Sequence, residues 1–141
     1  MFVARAAAVA FVPSGMNLNS NFTIPSSYTT MTGFVADTTN YPGSSVVSNG
    51  LIVQTTYATA TVTANIPWTS SFSETVTVRL LQNGTVIATG TGVAGTSGTS
   101  TCTVTGVSVT ASDSITAQIV GTQNNFGSAT AGTNCYVRVT T

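Results

Sequence analysis

The sequence has no histidine and no lysine, and its charge is confined to three arginines and three carboxylates in 141 residues. These absences remove the commonest general base, the residue that orients the nucleophile of a hydrolytic triad, and the amine of Schiff-base chemistry. The carboxylates are Asp37, Glu74 and Asp113. Glycosidic cleavage needs two carboxyl groups facing each other across a cleft, whereas these three are expected at strand ends and turns, bonded to nearby backbone N–H groups. A calcium site built from one such carboxylate and loop carbonyls has no further support. Neither an enzyme activity nor a cofactor or metal is therefore expected. Arg5, Arg79 and Arg138 are scattered, and a nucleic-acid backbone is gripped by clustered cations. No apolar run approaches the roughly 20 residues that span a bilayer as a helix, so no membrane insertion is expected. Cysteine is scarce too. Cys102 and Cys135 match no zinc spacing, and two thiols without histidine cannot complete a tetrahedral site. They read as small buried apolar side chains, with a disulfide between them as the alternative.

What is present is hydrophobic and uncharged: 42% of residues are hydrophobic and 4% charged, with a formal net charge of +0. The surface must then be covered by threonine, serine, asparagine, glutamine and glycine. Such a surface stays wet but lacks the repulsion that keeps soluble monomers apart, so we read the chain as one that sits packed among neighbours. A disordered chain would need low hydrophobicity and high net charge, and neither holds. The length suits one domain with a single core.

Threonine and valine alternate along most of the chain, which is the pattern of half-buried strands. Val76, Val78 and Leu80 share one face of a run that ends at Asn83-Gly84. Asn-Gly between β-formers predicts a two-residue hairpin turn, with Leu81 opposite Val86 and Leu80 opposite Ile87. Further strands are predicted over Met31–Asp37, Val46–Val53, Thr56–Ile66, Ser100–Val109, Ser114–Gly121 and Asn134–Thr140, separated by breakers that include Pro67 and Asn124-Asn125-Phe126-Gly127. The expected fold is all-β: a jelly-roll-type antiparallel β-sandwich of about eight strands over residues 22–141, preceded by a short N-terminal arm and linker over 1–21.

The first twelve residues place one cation before a brief apolar run, the outline of a short signal peptide. We read them instead as an assembly arm, with Phe2, Val3, Val9, Phe11 and Val12 as its apolar contacts, because a strand-length apolar segment can add to another subunit's sheet edge. Among the aromatics, Tyr41, Tyr57, Trp68 and Phe72 are candidates for surface or interface positions, where flat rings could also stack on sugars; core or subunit contact is the commoner fate of such residues. Asn21-Phe22-Thr23 and Asn83-Gly84-Thr85 match the glycosylation acceptor pattern, but the second is already explained as a turn.

Several stretches form a series: Tyr28-Thr29-Thr30-Met31-Thr32-Gly33-Phe34, then Asp37-Thr38-Thr39-Asn40-Tyr41-Pro42-Gly43-Ser44 and Gly50-Leu51-Ile52-Val53. Val78 to Gly90, Val107 to Ile115 and Tyr136-Val137-Arg138-Val139 continue it. In this order they resemble the small jelly-roll proteins of tailed actinobacterial phages, the minor tail proteins or capsid decoration proteins, which are related in fold to complement-type and tumour-necrosis-factor-like domains. The likeness covers roughly residues 22 to 141. Where that family commonly has Ala-Gly-Asp, this chain has Ala111-Ser112-Asp113. The resemblance implies a virion structural protein, most simply a minor tail protein, that forms a homotrimer and contacts other virion proteins. A capsid decoration protein, or a module binding host cell-surface glycan, are the alternatives. It also implies that Cys102 and Cys135 lie on strands that are not adjacent, too far apart to bond.

Overall fold

β-Branched side chains suit a pleated surface, and period-two spacing sends the apolar set of each strand to one face. The computed structural model describes residues 9–141, and the described residues form strands and turns with no helix. In chain order the strands are β1 (Ser14–Leu18), β2 (Phe22–Ile24), β3 (Thr29–Thr30), β4 (Phe34–Ala36), β5 (Val46–Val47), β6 (Gly50–Ile52), β7 (Tyr57–Gln82), β8 (Thr85–Thr89), β9 (Val93–Val109), β10 (Ser114–Gly121), β11 (Gly127–Ala129) and β12 (Gly132–Thr140). The count exceeds eight because several connections, anticipated as loops, pair over two or three residues.

The spine of the molecule is β7, 26 residues long. Along one edge run β8 and β9, from Thr85 opposite Gln82 to Val109 opposite Tyr57. Along the other run β10, β11 and β12, from Ile115 opposite Gln82 to Thr140 opposite Thr61. The β7–β9 register shifts between Thr69 and Glu74. There the ribbon turns a corner, so that the first half of β7 lies in one layer, β4-β1-β12-β7-β9, and the second half in the other, β5-β6-β10-β7-β8. Strands that switch layers in this way close a sandwich at its corners. Inward positions of both layers form one core that includes Met16, Leu18, Ile66, Trp68, Val78, Leu80, Ile119, Val137 and Val139.

At the Asn83-Gly84 turn both residues have positive φ, 49° and 81°, as a primed turn requires. Leu81 lies opposite Val86 as anticipated, but a bulge places Leu80 opposite Ala88. Ile87 is the extra residue, and it still packs against the core. Within the stretch expected as one strand from Val46 to Val53, Ser48 and Asn49 have φ of 49° and 67° and make a second two-residue hairpin between β5 and β6.

Two expectations are corrected. Pro13 to Asn21 reads as a linker because Ser, Gly and Asn are turn-formers. Ser14–Leu18 is instead β1, paired on both sides with β12 and β4, with Met16 and Leu18 in the core. The boundary expected near Phe22 therefore cuts through the sheet, and the partner strands supply the ladder that local propensity does not. Pro67, expected as a breaker, lies inside β7. Its carbonyl accepts from Thr130 N at 2.8 Å. In an antiparallel strand the N–H and C=O of one residue point the same way. The hydrogen that proline lacks would thus face the break between β11 and β12, where no ladder bond is lost.

Cys102 on β9 pairs with Ala64, which pairs on its other side with Val137 of β12. The two thiols are separated by β7, about 9.6 Å of sheet, and both are free and buried.

Candidate interaction surfaces

Each carboxylate is committed to a separate local task. Asp113 accepts from Thr110 N at 2.8 Å, Gln82 Nε2 at 2.9 Å and Asn83 Nδ2 at 2.9 Å, tying the 110–113 turn to the hairpin tip. Burial pushes its carboxyl upward, but these donors outweigh it and leave the pKa below the usual value. The neighbouring Ser112 has φ 78°, so the turn keeps the left-handed residue that glycine supplies in the resembling family. Asp37 accepts from Asn40 N at 3.1 Å and from Asn40 Nδ2 at both oxygens. The Asn40 side chain is the largest influence lowering its pKa; further bonds from Asn40 N and Asn17, and the Arg138 charge, act in the same direction against burial. Glu74, expected at a strand end, is instead an inward position within β7 and is buried. It is wedged between Gly121 and Gly127, where a Cβ on either glycine would collide with the carboxylate. One oxygen accepts from Gln123 N at 3.3 Å, and the other has no hydrogen-bond partner.

The outward face of the first layer is the larger candidate surface. Register places Thr101, Asn65, Tyr136, Asn17 and Val35 in one row across it, and Thr103, Thr63, Arg138 and Gly15 in the next. Arg138 is the only charged residue in these rows. Its guanidinium lies 3.4 Å from the Tyr136 ring centroid and 5.5 Å from that of Tyr41, with Asp37 close enough to sense its charge. Tyr41 lies directly over Gly15, whose missing side chain makes the room. The cation thereby lies against two aromatic faces, while its Nε is buried without a hydrogen-bond partner.

The second candidate surface is the corner of β7. There Phe72 and Phe126 pack edge to face, with ring centroids 4.8 Å apart and planes at 85°, yet both remain more than half exposed, at 54% and 51%. Of the four aromatics singled out in the sequence, Phe72 is thus a surface residue, and Tyr57 is partly exposed against Phe11, at 5.0 Å. Tyr41 covers Gly15. Trp68 is corrected: it is 1% exposed, and its indole N–H donates to Ser100 Oγ at 3.0 Å, so it belongs to the core. Phe126, Tyr136 and Arg138 were not singled out. The available signals were a phenylalanine set between two asparagines and a glycine, and the outward phase of the last strand.

Phe2 and Val3 lie outside the described residues. Val9 and Val12 are exposed, Phe11 is half-buried, and Val12 N donates to Thr55 Oγ1 at 3.1 Å. A shallow groove of about 450 Å³ lined by Val9, Gln54, Thr55, Thr56 and Ala111 runs beside this segment.

No family model matches the sequence, and no curated protein matches it. Among solved structures, Eiger TNF from S. frugiperda superposes with a TM-score of 0.64 over 92% of this chain and 91% of that one, at 11% identity. The fold is a tumour-necrosis-factor-like jelly roll. An identity of 11% speaks to the fold alone. Within this jelly roll, the two candidate surfaces are the outer face of the β4-β1-β12-β7-β9 layer and the corner of β7.

Proposed function

We propose that this jelly roll is a non-catalytic structural module that self-associates as a trimer through the outer face of the β4-β1-β12-β7-β9 layer and is built into a virion as a minor tail protein. The observation that carries the reading is the chemistry of that face: threonine, asparagine and tyrosine around one arginine stacked against two rings. Interface centres are poor in charge and rich in tyrosine and arginine, and the single cation of this face already lies against two aromatic rings. The near absence of charge elsewhere adds support, as does the resemblance to phage tail proteins. Residues 1–12 act in this reading as the anchor to a neighbouring virion protein.

Sedimentation equilibrium tests the first part. The chain is 14.3 kDa, and a species of about three times that mass is expected. Thr63→Lys, which sets a charge in the centre of the face, should return it to monomer with its circular dichroism unchanged. A wild-type monomer at all concentrations refutes the trimer. Deleting residues 1–10, which spares β1, should abolish incorporation into particles, and unchanged incorporation refutes the anchor. Immunogold labelling of the tail is expected, and labelling of the head makes the chain a decoration protein instead.

A further inference from the structure

We infer that the corner of β7 is a binding site for a neutral glycan, with the Phe72–Phe126 pair as its platform. The inference is independent of the trimer, which uses a different face.

The pair is assembled from two parts of the chain far apart in sequence. Phe72 sits where β7 turns between layers, and Phe126 in the connection from β10 to β11. Ser71 N donates to the Phe126 carbonyl at 3.3 Å, joining the two segments directly. Folding alone would bury two such rings or replace them with the serine, threonine and asparagine found elsewhere on this surface. Here they pack edge to face, and each residue stays more than half exposed.

The scaffold beneath is held at a cost. Glu74 grips both ends of the 121–127 connection, between Gly121 and Gly127, and bonds Gln123 N, while its second oxygen is buried without a partner. An unpaired buried carboxylate oxygen is destabilising, and an apolar residue at this inward position would be the ordinary choice. Asn125, immediately before Phe126, adopts φ 64°, and its N–H is fixed to the Ile24 carbonyl at 3.0 Å. An unsatisfied buried group thus lies beneath the segment that presents Phe126, and a left-handed turn that asparagine readily adopts fixes its course.

The ligand class follows from the surroundings. The exposed residues flanking the rings, Ser71, Ser73, Thr122, Asn124 and Asn125, carry hydroxyl and amide groups and no charge, and the nearby carboxylate is sealed below. Flat apolar rings ringed by neutral donors and acceptors match a sugar, whose C–H face stacks on an aromatic ring while its hydroxyls meet the rim. Among the described residues no cation flanks the rings to meet an anionic polymer.

The test is a chemical-shift titration of the ¹⁵N-labelled full chain. The probes are soluble mannan, galactan and cello-oligosaccharide, with polygalacturonate and phosphatidylcholine vesicles as comparators. Saturable shifts confined to Phe72 and Thr122–Phe126 with at least one neutral glycan are expected. Phe72→Ala and Phe126→Ala, both surface changes, should each weaken that binding by about tenfold or more. Glu74→Gln should weaken it less and move the amides of the 121–127 connection. No response to any neutral glycan, a response only to polygalacturonate or vesicles, or full affinity in both alanine variants overturns the site. Self-association through this corner, seen as concentration-dependent shifts without ligand, overturns it as well.

Discussion

Ser100→Ala is the most revealing single change in the core. Ser100 on β9 is fully buried, receives the Trp68 indole N–H at 3.0 Å and donates its own hydroxyl to the Val76 carbonyl at 2.8 Å. Trp68 precedes the β7 corner and Val76 follows it, so one hydroxyl links the two layers. Alanine removes the hydroxyl with almost no change in volume, which keeps cavity effects small. It strands the indole donor at about 1–3 kcal/mol and forfeits the bond to Val76 at about 0.5–1.5 kcal/mol. The expected loss is about 2–4 kcal/mol, or roughly 10 °C in melting temperature for a domain of this size. Trp68 is the sole tryptophan, so its emission reports unfolding directly in a urea titration at fixed protein concentration. In a Trp68→Phe background, followed by circular dichroism, the same change should cost at least 1 kcal/mol less, because no indole is left to strand. A loss under about 0.5 kcal/mol for Ser100→Ala, or an equal loss in both backgrounds, would refute the bridge.

Four further outcomes are expected. In denaturant without reductant both thiols should titrate, whereas in the native protein neither should react: burial raises Cys102 and pushes Cys135 up to about 12, leaving on the order of one Cys135 thiolate in a thousand at pH 9. Because an unfolded thiol ionises near 9.0 and the folded Cys135 holds its proton to about 12, stability should fall as pH rises across that window, measurable by alkaline denaturation and diminished in Cys135→Ala. Asp37 and Asp113 have folded pKa values below 3.8, so the stability they contribute is present above that value and lost as pH falls below it; Asp113→Asn should flatten this acid limb in thermal melts. Ser112→Gly should raise stability by about 0.5–1 kcal/mol in urea titrations, since it relieves a left-handed residue at φ 78°, and a loss would show that the serine side chain does more than occupy the turn.

The strand class, the Asn83-Gly84 turn and the inward face of Val76, Val78 and Leu80 on β7 were legible because each depends on residues within a few positions of one another: β-branched alternation chooses the pleat, and positive φ chooses asparagine and glycine. The absence of histidine and lysine narrowed the chemistry in the same local way. Other features depend on partners far along the chain. β1 is a strand because β12 and β4 flank it, and Pro67 is tolerated because its bare side meets a gap in pairing. Trp68 and Phe72 are both aromatics of β7, yet the inward phase buries the first while the corner turns the second out beside Phe126. Glu74 reads as a surface carboxylate until Gly121 and Gly127 close around it, and Arg138 as an ordinary surface cation until Tyr41 and Tyr136 enclose it. Local propensity carries period and turn; which residues meet is set by the packing of two layers around one bent strand.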